Sequence, residues 1–300
     1  MNELMKITNV ELSKKSDYIT NIKIGMLESA LLDKFPAEDS LEHDRCGLLV
    51  GDRAERIARV AVALDPTYSA ICEAEKAGCN VLLTHHPLFR DPIEGFHPFS
   101  RCDSGAGNIV YSAIEKGVAC MNFHTCLDVS RPAQDVLPQL LNLYDKEISK
   151  KKQGYKQSVL CPIASSKKKG FGQFCEIDKP LTLGELSRRC LSVFGRKPRV
   201  WGDDGAKLSK IVTALGSATA LLPQAITAGA DVVVAGEVGY HAALSASEAG
   251  LCVIELGHDV SELPLVALLA KSAQDAGVNR DKIIILDQTH NWHLTDAIRI

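Results

Sequence analysis

Val81-Leu82-Leu83-Thr84-His85-His86-Pro87 sets the architecture of the whole chain. A short apolar run that stops at two histidines and a proline reads as a buried strand presenting polar side chains at its C-terminal end. Neighbouring side chains on a strand point to opposite faces, so the two histidines cannot share one partner while the strand continues. Where Pro87 turns the chain they can splay, each towards a different metal ion.

Two other segments have the same form. Gly117-Val118-Ala119-Cys120-Met121-Asn122-Phe123 leads as a strand to His124, and Leu251-Cys252-Val253-Ile254-Glu255-Leu256-Gly257 leads to His258. A carboxylate follows each histidine four residues later, Asp128 and Glu262, which places both groups on one face if the segment turns helical. All three clusters thus lie just past strand ends, where open α/β sheets carry their sites. Taken singly, each reads as an ordinary hydrogen-bonded histidine. Three together, each after an apolar run, point to metal.

Imidazole and carboxylate are the ligands of zinc, iron, manganese, nickel and cobalt. A catalytic zinc takes three protein ligands and keeps a position for water. Six candidates, His85, His86, His124, Asp128, His258 and Glu262, exceed that need and suit two ions sharing a carboxylate. The expected cofactor is therefore two divalent transition-metal ions per chain, with Zn, Fe and Mn all compatible.

The chain also repeats itself. Ala63-Leu64, Ala74, Ala77, Gly78 and Val81 recur 151 residues later as Ala214-Leu215, Ala225, Ala228, Gly229 and Val232. Each copy reads as strand, helix, glycine turn, strand. In this register His85 and His86 fall on Gly236 and Glu237. Gly117 to Asp128 echoes Gly250 to Glu262 with one residue inserted. Two diverged copies favour one composite site over two equivalent ones. The expected fold is α/β, with duplicated units and mixed, largely parallel sheets. The expected divisions are an N-terminal extension (1–25), a first half (26–150), a linker (151–170) and a second half (171–300).

With 46% hydrophobic residues the 300-residue chain can bury a substantial core. A net charge of −3 supplies no basic footprint, so no nucleic-acid partner is expected. Lys167-Lys168-Lys169, a short basic run, reads as solvated linker. The ten cysteines form no Cys-x-x-Cys pair. Cys72, Cys120, Cys190 and Cys252 sit in apolar contexts, as buried free thiols do. Met1 to Ile24 lacks the apolar segment of an export signal, so the expected compartment is the reducing cytoplasm. No apolar stretch is long enough for a membrane span. Phosphate-cradling glycine loops and a Gly-x-Ser-x-Gly elbow are absent. Asp65-Pro66-Thr67 and Gly216-Ser217-Ala218-Thr219 read as helix N-caps.

Five segments together carry a family resemblance: Cys46-Gly-Leu-Leu-Val-Gly-Asp52, Val81-Leu-Leu-Thr-His-His-Pro-Leu-Phe89, His124-Thr-Cys-Leu-Asp128, Ala235-Gly-Glu-Val-Gly-Tyr-His241 and Gly257-His-Asp-Val-Ser-Glu262. From about Met26 to Ala270 the chain resembles the NIF-three-like family of dinuclear metal-centre proteins, also called GTP cyclohydrolase I type 2 homologues. The resemblance implies His85, His86, Asp128, His258 and Glu262 as ligands, with Glu262 bridging the ions. It places His124 at the site, as a ligand or directly behind one. It also implies self-association to a toroidal homohexamer with metal sites facing an inner cavity. The chain departs from the family at Asp44-Arg45-Cys46, where Asp-Asn-Val is common, and at Tyr240-His241, where paired histidines are common. The inserted domain of some members is missing.

A metal-dependent hydrolase of a small-molecule substrate, a nucleotide by the family label, is the expected function. Glu237 and His241 are the expected proton carriers. The alternative is a ring-shaped metal-binding or protein-interaction scaffold without catalysis.

Overall fold

The computed structural model describes residues 21–143, 155–293 and 295. Most of the expected N-terminal extension and the first residues of the expected linker lie outside these. Among the described residues eleven strands form two sheets, ordered β1-β4-β3-β2-β11 and β5-β6-β8-β9-β10-β7. In the first sheet β1 is Gly47–Val50, β2 Val60–Ala63, β3 Val81–Thr84, β4 Ala119–Asn122 and β11 Ile283–Ile285. In the second, β5 is Tyr155–Ile163, β6 Ser166–Thr182, β7 Arg199–Trp201, β8 Lys207–Ser217, β9 Val232–Glu237 and β10 Cys252–Glu255.

Ten α-helices accompany them in the described residues: α1 (Ile24–Lys34), α2 (Tyr68–Lys76), α3 (Ala106–Glu115), α4 (Thr125–Asp128), α5 (Arg131–Gln134), α6 (Val136–Leu140), α7 (Leu183–Phe194), α8 (Leu222–Thr227), α9 (Tyr240–Glu248) and α10 (His258–Asp275). None is long and apolar enough to cross a membrane.

The duplication is visible as register. Val60 pairs with Val81 and Val81 with Ala119 across β2, β3 and β4. Ile211, Val232 and Cys252 align identically across β8, β9 and β10. All four pairings are parallel, and each triplet carries one short antiparallel neighbour, β1 on β4 and β7 on β10. Parallel strands are covered on both faces, which is why these read as unbroken Val, Leu and Ala runs rather than alternating ones.

Alternate residues serve different layers. Val60, Val62, Val81 and Leu83 share one core with Ile211, Val232, Val234 and Ile254, and with α1, α7 and α10. Ala61, Ala63 and Leu82 face α2 and α3 instead. Val212, Val233 and Val253 face α8 and α9. The long helix α10 touches strands of both sheets, and so carries its first turn to the junction between them.

Two features differ from the expected divisions. From residue 155 the expected linker is strand: β5 pairs antiparallel with β6, and Lys167-Lys168-Lys169 lies in the hairpin, with Lys169 bonded to Asp39. Polar residues at an exposed hairpin tip look like linker in a sequence. The expected second half also returns one strand to the first sheet, since β11 pairs with β2.

Candidate metal centre

Each histidine of the three clusters is aimed from behind. His85 Nδ1 lies 3.0 Å from the Phe123 carbonyl, and His86 Nδ1 lies 2.7 Å from Asp65 Oδ1. His124 Nδ1 lies 2.9 Å from Asp44 Oδ2, and His258 Nδ1 is 3.1 Å from Glu237 Oε1. Carbonyls and carboxylates accept, so in the neutral ring Nδ1 carries the hydrogen and Nε2 offers its lone pair. Such partners fix the tautomer and orientation of a metal-binding imidazole.

The Nε2 atoms of His85, His86 and His258 converge on Glu262. Glu262 Oε2 is 3.0 Å from His86 Nε2 and 3.1 Å from His258 Nε2. Oε1 lies 3.7 Å from His85 Nε2, which is itself 3.6 Å from Asp128 Oδ1. Local geometry brings these groups here. His124 is the N-cap of α4, whose single turn ends on Asp128, and His258 opens α10 one turn before Glu262.

Three overlapping groups have ligand atoms within 4.8 Å of one another: His85, His86 and His124; His86, His258 and Glu262; His85, Asp128 and Glu262. These contain all six expected ligands and, among the described residues, no others. His85 Nε2, Asp128 Oδ1 and Glu262 Oε2 are buried without a hydrogen bond. Buried polar atoms left unpaired are costly, and a cation among them would satisfy all three. The residues present fit a metal.

Charge is balanced by protons when no cation is bound. Burial opposes a charged His86, yet Asp65 and Glu262 outweigh it and lift its pKa to about 10. The facing Glu262, against burial, raises His258 to about 9. Glu262 itself, despite burial, is held well below the carboxylate range by His258, His85 and His86. Burial moves Asp128 upward.

A cavity of about 350 Å³ reaches the centre, with His124, Asp128, His258 and Glu262 on its lining and Phe171 and Leu221 among its apolar walls. A second opening, of about 370 Å³, reaches His86 and His258 past Asp65 and Glu237. Of the two expected proton carriers, Glu237 touches the centre through His258. His241 is exposed at the start of α9, with its ring 5.2 Å from that of Tyr240, and is in none of the three groups.

Sequence reasoning missed two supporting carboxylates. Asp65 closes an apolar run at the same sheet edge as the histidines, a signal the sequence does carry. Asp44 reaches His124 because β1, three residues on, pairs with β4, Gly47 lying opposite Asn122. The capping expected near Asp65 belongs to Thr67, which accepts from Ala70 N.

The sequence pattern of the family Duf34/NIF3 (NGG1p interacting factor 3) matches residues 22–291. A protein named GTP cyclohydrolase 1 type 2 homolog from Clostridium acetobutylicum is 28% identical over 260 residues, covering 85% of this chain and 91% of its own. The protein of the same name from Clostridium perfringens is 29% identical over 257 residues, with 85% and 92% covered. Among solved structures, a hypothetical protein from Staphylococcus aureus superposes with a TM-score of 0.77 at 22% identity, covering 91% of this chain and 99% of that one. A Bacillus cereus protein related to NIF3 gives 0.76 at 20% identity, with 92% and 99% covered. These two likenesses establish the fold.

Proposed function

The chain belongs to the Duf34/NIF3 (NGG1p interacting factor 3) family, and from that premise we propose that it is a dinuclear metal-dependent hydrolase acting on a nucleotide. One observation carries the reading. Four imidazoles turn Nδ1 to a partner, and those of His85, His86 and His258 bring Nε2 to within 3.7 Å of one buried carboxylate, Glu262. His86, His258 and Glu262 would hold one ion, and His85, Asp128 and Glu262 the other, with His124 beside His85 and His86. Two such ions lower the pKa of a water and neutralise charge on attacking and leaving oxygens.

The chain's own residues supply the rest. Asp65, Asp44 and the Phe123 carbonyl keep three imidazoles in one tautomer. Glu237 is about half exposed and bonded to His258 Nδ1, so it can exchange a proton between that atom and solvent. Phe171 and Leu221 give the cavity beside these residues an apolar wall against which part of a substrate could pack. His241 would act only on a part of the substrate that extends past Glu237. A nucleotide is supported by the name shared by the clostridial relatives. The same reading includes a homohexamer, by the resemblance, and a cytoplasmic setting, in keeping with ten cysteines that form no Cys-x-x-Cys pair.

Turnover of GTP and other nucleotides by metal-loaded protein tests this. Activity that needs metal and disappears in a folded His85→Ala variant is expected. A loaded protein that turns over no nucleotide would refute the hydrolase and leave the scaffold.

A further inference from the structure

Behind the centre, two cysteines that the proposed chemistry does not use stand in contact. Cys46 Sγ and Cys126 Sγ are 2.9 Å apart, across 80 residues of sequence. Cys46 is half-buried and Cys126 is buried. Cys46 follows Asp44 by two residues, and Cys126 lies midway between His124 and Asp128. Asp44 binds His124 Nδ1, the Thr125 amide and the Thr125 hydroxyl. The sulfur contact and these carboxylate contacts therefore join the same two segments, the entry to β1 and the turn α4. A disulfide needs two cysteines already brought together by the fold, and this fold does so at the one junction that aims His124.

We propose that Cys46 and Cys126 form a reversible modification site, closing to an intramolecular disulfide when a low-molecular-weight disulfide such as oxidised glutathione is present. Cys46, the more accessible thiol, gives up its proton, and its sulfur attacks one sulfur of the oxidant. A glutathione thiolate leaves and takes up a proton. Cys126 then loses its proton and attacks Cys46 Sγ in the mixed disulfide, expelling the second glutathione in the same way. Two cysteine thiols are oxidised by two electrons, and two glutathione thiols carry away those electrons and protons. The new bond fastens the Asp44 segment to the turn bearing His124 and Asp128.

The test equilibrates the purified full chain in glutathione buffers of graded oxidation, alkylates it after denaturation, and maps the digest by mass spectrometry. Exposed Cys102 reports that the oxidant is working. The Cys46 and Cys126 peptides should be recovered joined, losing two alkylation sites together and regaining both with dithiothreitol. In Cys126→Ser, Cys46 should stop at the glutathione adduct; if that variant does not fold, the wild-type map decides alone. Both thiols free while Cys102 is modified, a wild-type Cys46 stalled as the adduct, or Cys46 joined to another cysteine would each overturn the proposal.

Discussion

Gly216 shows how little room surrounds Glu262. Its φ is +53°, and a Cβ there would meet Glu262 Oε1 at 2.2 Å. Gly250, at φ +89°, has nothing within 4 Å of the same position. Gly216→Ala and Gly250→Ala should both lose about 1–2 kcal/mol of stability from left-handed backbone, read as a lower Tm. Only Gly216→Ala should also lose metal. Equal metal content in the two variants would mean Glu262 does not need that space. Glu262→Gln should likewise cost more metal than Glu237→Gln, because the first removes charge shared by two ligand groups and the second a partner behind one. Equal loss by elemental analysis would contradict this division. The six residues that come together here were legible in the sequence because each ends an apolar run or follows a histidine by one helical turn. Asp44 was not, since its contact with His124 comes from strand pairing across 80 residues.

Among the elements, the two copies have diverged where they meet. The positions of Asp65 and His85 in the first copy are Gly216 and Gly236 in the second. A Cβ on Gly236 would strike Ser261 Oγ and the Gly216 carbonyl at 2.5 Å. The second copy thus gives up side chains where α10 brings Ser261 and Glu262, which makes the site composite. The constant 151-residue shift revealed the strand triplets. It could not reveal β11, whose partner β2 lies over 200 residues away, because spacing does not encode non-local pairing. Just past β11, buried Gln288 accepts from Leu64 N at 2.8 Å and Asp65 N at 2.9 Å, and donates to the Asp65 carbonyl. Gln288→Ala leaves those groups unpaired, at about 1–3 kcal/mol. A lower Tm with weaker metal affinity is expected, since Asp65 aims His86. Unchanged affinity would show that Asp65 holds its place without the C-terminal segment.

At the scale of the molecule, pH and metal should act in opposite directions. In metal-free protein His86 and His258 are raised from 6.5 to about 10 and about 9. Their stabilisation is complete below about pH 6.5 and is lost as pH rises through those values. Glu262 and Asp44 are depressed, so their share is present above the ordinary carboxylate range and lost on acidification. Chelator-stripped protein should therefore be most stable in mild acid, its Tm falling from pH 6.5 to 10. Metal must displace the histidine protons, so affinity should rise over the same interval. A stripped protein that gains stability towards pH 10 would show that these imidazoles are neutral. The central claim is that one carboxylate joins two sites in every chain. Elemental analysis of protein purified without chelator and then reloaded tests it most directly. The expected value is about two transition-metal ions per chain, as six ligands exceed the three that one catalytic ion needs. A reproducible value of one or below would contradict the dinuclear centre.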